Sequence, residues 1–158
     1  ASDVYKRQGK DANEGTIGDY IHYQQDRAVA GVLVELACET DFVAKSEEFK
    51  DAAKQIAMHI AAMKPTYLNI DEVPESKVNE EKDIIKKQSE NEGKSQEVID
   101  KIVDGKITSF YSDTVLNEQI FCNPELYEGT VGNMIDEMSG KLGEKIYIKQ
   151  FSHIEIGT

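Results

Sequence analysis

The chain has 158 residues, enough to bury a sizeable core and to fold without covalent staples. With 30 acidic against 18 basic residues its formal net charge is -12, which argues against direct binding to nucleic-acid backbone or to an anionic membrane surface. Two cysteines make neither a disulfide framework nor a metal-ligand spacing and suit a reducing cytoplasm, and no apolar run reaches a membrane span or forms a signal-peptide core.

Residues 1–13 are polar and aperiodic, so an unstructured or artefactual tail is expected there, followed by a core over residues 14–158. The runs TIGDYIHY and AGVLVELAC are strand-like and are joined by QQDR, which predicts an antiparallel hairpin. Within the second run Val32, Val34, Leu36 and Cys38 share the face expected to turn inward. Cys38 is accordingly read as a small buried hydrophobe.

Ser46 is a suitable N-cap, Glu47 and Glu48 fall in a first helical turn, and Phe49, Ala53, Ile56, Ile60 and Met63 recur at helical spacing until Pro65. Residues 76–92 predict a highly charged helix with a thin stripe of Val78, Ile84 and Ile85, ended by Gly93. From Ser95 a longer helix keeps Ile99, Ile102, Val103, Ile107, Phe110 and Thr114 on one face, weakened slightly by Gly105. After the turn-rich CNPELYEG, Thr130 caps VGNMIDEMSGKL, and Gly143 suits the left-handed residue that ends a helix. The last run, EKIYIKQFSHIEIG, alternates, with Ile146, Ile148, Ile154 and Ile156 on one face. Three strands, the third far from the first two in sequence, predict an α+β fold: a small three-stranded antiparallel sheet packed with helices.

Several groups invite a chemical reading. Glu39 and Asp41, with Glu47, Glu48 and Asp51 beyond them, would serve as a carboxylate pair or a metal site, but acidic residues in a first helical turn already complement the helix dipole. His22, His59 and His153 have no partner at metal-ligand spacing, so each is expected to be a surface or half-buried histidine. GTIG and SGKLG lack the spacing of a phosphate-binding loop. Phe42, between Asp41 and Val43, reads either as a hydrophobic staple or core residue, with Asp41 as a local cap, or as an aromatic anchor for a partner protein.

The stretch GVLVELACETDFVAKSEEFKDAAKQIAMHIAAMKPTYL resembles elongation factor Ts, the family of guanine-nucleotide exchange factors of translation elongation. EGTIGDYIH, NEGKSQEVIDKIVDGKITSFY and LGEKIYIKQFSHIEIG are similar to further parts of its core, so the resemblance covers about residues 14–157. It implies a cytoplasmic, bacterial accessory protein rather than an enzyme, with no cofactor and with elongation factor Tu as its partner. Thr40, Asp41, Phe42 and Val43 match the family motif that meets the GTP-binding domain, where the phenylalanine wedges near the Mg²⁺ and phosphate site and GDP is freed. Nothing before Glu14 resembles the family's N-terminal helical module, so the resemblance implies reduced affinity if that module is absent. Short members of the family form homodimers through the core sheet, which implies self-association here. Two other classes stay open: a dimerising scaffold without exchange activity, and a small hydrolase or metal enzyme built on Asp41, Glu39 and a histidine.

Overall fold

The computed structural model describes residues 12–158; apart from its last two residues, the tail expected over 1–13 lies outside them. The chain forms two compact units, one built from the residues up to 64 together with 120–158, the other from 65–119.

In the first unit, β1 (Glu14–Gln24) and β2 (Arg27–Cys38) form an antiparallel hairpin. β3 (Tyr147–Glu155) pairs antiparallel with the other side of β2, giving the order β1-β2-β3. The hairpin is tighter than QQDR suggested, because Gln24 and Arg27 already pair and only Gln25 and Asp26 turn, Gln25 with φ of 57°. Val32, Val34, Leu36 and Cys38 of β2 are buried and Leu33 is 55% exposed, but burial stops alternating at the strand's end, where Ala37 is buried as well.

Over the inner face lies α2 (Glu47–Met63). The Ser46 hydroxyl accepts from the Phe49 N–H at 3.3 Å, and the helix ends at Lys64, whose φ is 48°, just before Pro65. Phe49, Ala53, Ile56, Ala57 and Ile60 are fully buried. The helix crosses β1 so closely that a Cβ on Gly18 would stand 2.2 Å from the Ala53 carbonyl oxygen. A glycine is therefore required at that crossing for steric reasons. α5 (Val131–Leu142) is capped as expected, the Thr130 hydroxyl accepting from the Asn133 N–H at 3.1 Å and Gly143 adopting φ of 71°.

The single face expected for Ile146, Ile148, Ile154 and Ile156 does not form. Glu35 pairs with Gln150 but Leu36 pairs with Ile148, so Lys149 is an extra residue in β3. A bulge of this kind transfers every residue beyond it to the opposite face. Ile146 and Ile148 are buried, whereas Phe151, His153 and Glu155 take over the inner positions and Ile154 and Ile156 are 73% and 66% exposed.

The second unit is a helical hairpin of α3 (Glu75–Asn91) and α4 (Gln96–Thr114), the latter capped by Ser95. Ile99, Val103 and Ile107 of α4 are buried and packed by Val78 and Ile85 of α3 and by Tyr111. The stripe expected on α3 loses Ile84, which is 46% exposed, and gains the buried Ser89. Val78, Ile85 and Ser89 follow spacings of seven and four, a narrow helical seam, and Ile84 falls beside it. Gly93 turns the chain between the helices with φ of 74°.

Candidate functional site

Where β2 ends, Cys38 is buried and its thiol donates to the Thr40 carbonyl oxygen at 3.2 Å. Burial, reinforced by the Glu144 carboxylate, pushes that thiol up to about 11. The next residues form α1 (Asp41–Ala44), a single turn. Its cap is Thr40, whose hydroxyl accepts from the Val43 N–H at 3.3 Å, so Asp41 is not the local cap that the sequence suggested. Asp41 instead sits in the first turn and pairs with Lys45 at 3.3 Å, both side chains largely exposed. Such a solvated pair contributes little.

A helix of one turn does not persist on its own backbone hydrogen bonds, and the structure supports it from both ends. At the C-terminal end Ser46 donates its hydroxyl to the Val43 carbonyl at 2.8 Å while its oxygen caps α2. At the N-terminal end Glu144, between α5 and β3, accepts the Glu39 N–H at 3.0 Å and the Thr40 N–H at 3.1 Å on one carboxylate oxygen. Its other oxygen accepts the Thr40 hydroxyl at 2.6 Å. The contact is reciprocal, because the Glu39 carboxylate accepts the Lys145 N–H, and Ser139 in turn donates to the Glu144 carbonyl oxygen. The only sequence cue to this arrangement was a polar segment, LGEK, before the closing strand.

Inside α1, Val43 and Ala44 point into the protein, at 6% and 8% exposure, while Phe42 is 84% exposed. The staple and core readings of Phe42 fail on that number. The motif thus presents one bare aromatic ring on a turn anchored by its neighbours, with Asp41 and Thr40 also exposed beside it.

The other candidates occupy separate places. Glu47 and Glu48 lie in the first turn of α2, Glu47 pairing with Lys50 at 2.9 Å and Glu48 with Lys141 at 2.8 Å. Asp51 lies exposed one turn further along α2. His22 is exposed on β1 with Tyr20 at 3.2 Å. His59 departs from the expected surface position: it is fully buried, accepts the Cys122 N–H at 3.0 Å, and stacks on Phe121 with ring centroids 5.6 Å apart. Here an imidazole fills an aromatic-sized space and satisfies a loop amide, a use the helical spacing alone did not reveal. His153 is half-buried on β3. Among the described residues no three His, Cys, Asp or Glu side chains converge to hold a metal. Of the carboxylates that a hydrolase would use, Glu39 accepts the Lys145 N–H and Asp41 lies exposed beside Lys45. No helix among the described residues is long and apolar enough to cross a membrane.

Comparison with known proteins gives the family. The family described as Elongation factor TS matches residues 4–158. The chain is 44% identical over 153 residues to elongation factor Ts of Syntrophus aciditrophicus, covering 96% of this chain and 73% of that protein. It is similarly 44% identical over 152 residues to elongation factor Ts of Caldanaerobacter subterraneus and 41% identical over 152 residues to that of Fervidobacterium nodosum, covering 74% and 75% of those proteins. With a match that spans nearly the whole sequence and relatives that share the same core, the chain belongs to the elongation factor Ts family, the translation elongation factors that act by nucleotide exchange.

Proposed function

We propose that this chain promotes GDP release from elongation factor Tu by inserting Phe42, carried by Thr40, Asp41 and Val43, beside the partner's Mg²⁺ and phosphate site. The observation that supports this reading is the 84% exposure of Phe42 on a turn whose following residues, Val43 and Ala44, are buried. An apolar ring held out in water by a fixed turn gains on the order of 1.5–3 kcal/mol when a partner covers it. Because the turn is already formed, little of that gain is lost to ordering the chain on binding.

The rest of the mechanism follows from the chemistry of the bound nucleotide. Mg²⁺ bridges nucleotide phosphate and protein oxygens, so displacing the elements that hold it weakens GDP binding. By linkage, the factor by which the chain weakens GDP is the factor by which GDP weakens the chain. The complex with GDP is then transient, and an incoming nucleotide displaces the chain again.

The experiment is the release of a fluorescent GDP from elongation factor Tu with the parent chain, with Phe42→Ala and with buffer. Acceleration that disappears in the variant is the expected result. Acceleration that survives in Phe42→Ala would remove the wedge, and none by the folded parent chain would favour a scaffold without exchange activity.

A second reading concerns assembly. The outer face of the sheet carries Ile17, Leu33 and Ile154 at 58%, 55% and 73% exposure, the register setting Ile17 opposite Glu35 and Ile154 opposite Gly31, each diagonal to Leu33. Uncovered apolar positions on a sheet face favour a homodimer through that face. Light scattering at micromolar concentration tests it: a monomeric mass would exclude this dimer, and Leu33→Glu should abolish a dimeric one.

A further inference from the structure

We infer that Glu144 is the positioning residue of the exchange motif: its carboxylate holds the Glu39–Thr40 backbone so that Phe42 is presented to the partner ready-made. This rests on the reading of Phe42 as the inserted side chain. The geometry is specific. One carboxylate takes three donors from two consecutive residues, the N–H groups of Glu39 and Thr40 and the Thr40 hydroxyl, at 3.0, 3.1 and 2.6 Å. Two of these donors belong to the residue that caps α1.

The Thr40 hydroxyl works in both directions. It gives its proton to Glu144 at 2.6 Å, which leaves its oxygen lone pairs directed at the Val43 N–H at 3.3 Å. With Glu144 in place the hydroxyl has a fixed orientation, and the cap of α1 is tied to the start of the closing strand. Charge-assisted bonds of this kind are shorter and stronger than neutral ones. Without the carboxylate, the Glu39 and Thr40 amides face water, and a one-turn helix has little reason to persist. Glu144 touches none of the reacting groups; it determines how much of the time Phe42 stands in the competent position.

That distinction makes a quantitative statement. If only a fraction of molecules presents Phe42 correctly, the apparent affinity for the partner falls by that fraction, while the rate within the assembled complex is unchanged. Glu144→Ala should therefore raise the concentration of chain needed for half-maximal GDP release by roughly tenfold and leave the saturating release rate as it is. Glu144→Gln, which retains one acceptor oxygen, should fall in between. Should Glu144→Ala fold poorly, Glu144→Gln serves as the second variant, with a half-maximal concentration still above that of the parent at an unchanged saturating rate.

Amide hydrogen exchange of Glu39 and Thr40 in the isolated chain tests the clamp without the partner: protection in the parent, lost in Glu144→Ala while the α2 amides stay protected, is the expected pattern. Unchanged protection, or a half-maximal concentration equal to that of the parent, would overturn the assignment of Glu144. Failure of the Phe42 reading looks different, because Phe42→Ala would then release GDP like the parent whatever the exchange data show. A loss of saturating rate in Glu144→Ala would also overturn the assignment, since it would mean that the carboxylate acts in the complex itself.

Discussion

Replacing Gly18 by alanine tests how closely α2 is set onto the sheet. The added Cβ would lie 2.2 Å from the Ala53 carbonyl oxygen and 2.9 Å from the Ala53 Cβ, where ordinary contact begins at 3.4 Å. The nearest atom belongs to the backbone, so no side-chain rotation relieves the clash, and the helix must recede by about 1 Å along a face that buries Phe49, Ile56 and Ile60. Overpacking of this kind costs about 1–3 kcal/mol. Taking a loss of about 2 kcal/mol and the usual sensitivity for a domain of this size, Tm should fall by about 4–8 °C. In urea the midpoint should drop with little change in slope, because the surface exposed on unfolding stays the same. Adding Ala53→Gly supplies the control: it removes the contact at 2.9 Å but not the one at 2.2 Å, so it should recover nothing. A Gly18→Ala chain as stable as the parent, or one rescued by Ala53→Gly, would refute the crossing geometry.

Thiol labelling of the native chain near pH 8 should modify Cys122 first and leave Cys38 untouched until unfolding, because Cys122 is exposed and Cys38 is buried with its thiol pushed up to about 11. The folded state holds the Cys38 proton more tightly than the unfolded state, so the associated stability is complete below about pH 9 and is lost as pH rises to about 11; the alkaline loss should be shallower in Cys38→Ala. Gly105→Ala, in the interior of α4 with nothing within 4 Å of the new methyl group, should stabilise that helix by about 0.5–1 kcal/mol, read as slower amide exchange in α4.

What could be read from the sequence was local chemistry. Ser46, Ser95 and Thr130 each cap the helix their position announces, and Gly143 takes the left-handed conformation its place requires. These are decided within four or five residues, so they need no knowledge of the fold. The inner face of β2 was equally legible, because alternation from Val32 to Cys38 leaves one choice of inner side, although Ala37 on the other face is buried too. β3 was misread for a reason that also follows from its period: one extra residue, Lys149, inverts the pattern, and nothing in IYIKQFSHIE marks the place. His59 was missed because burial of an imidazole depends on an amide donor 63 residues away. The motif from Thr40 to Val43 was recognisable by its resemblance to a family, which also implied a projecting Phe42, yet the support beneath it was not. Glu144 lies 104 residues from the Thr40 it holds, and no spacing rule connects them.

The span between those two residues has a further meaning for a protein made one residue at a time. Synthesis proceeds at about 5–20 residues per second, so the turn bearing Phe42 is made roughly 5–20 s before the carboxylate that fixes it. Over that interval β2 also lacks β3, because its partner strand lies at the same distance along the chain. Nascent chains held on the ribosome with Glu144 still inside the exit tunnel or, through a C-terminal extension, outside it should differ in how readily a protease cuts at Phe42, and equal cutting would remove this timing. The turn therefore gains its hydrogen-bonded support only when nearly all of the sheet exists, and a chain cut short before Glu144 keeps Phe42 on an unsupported segment.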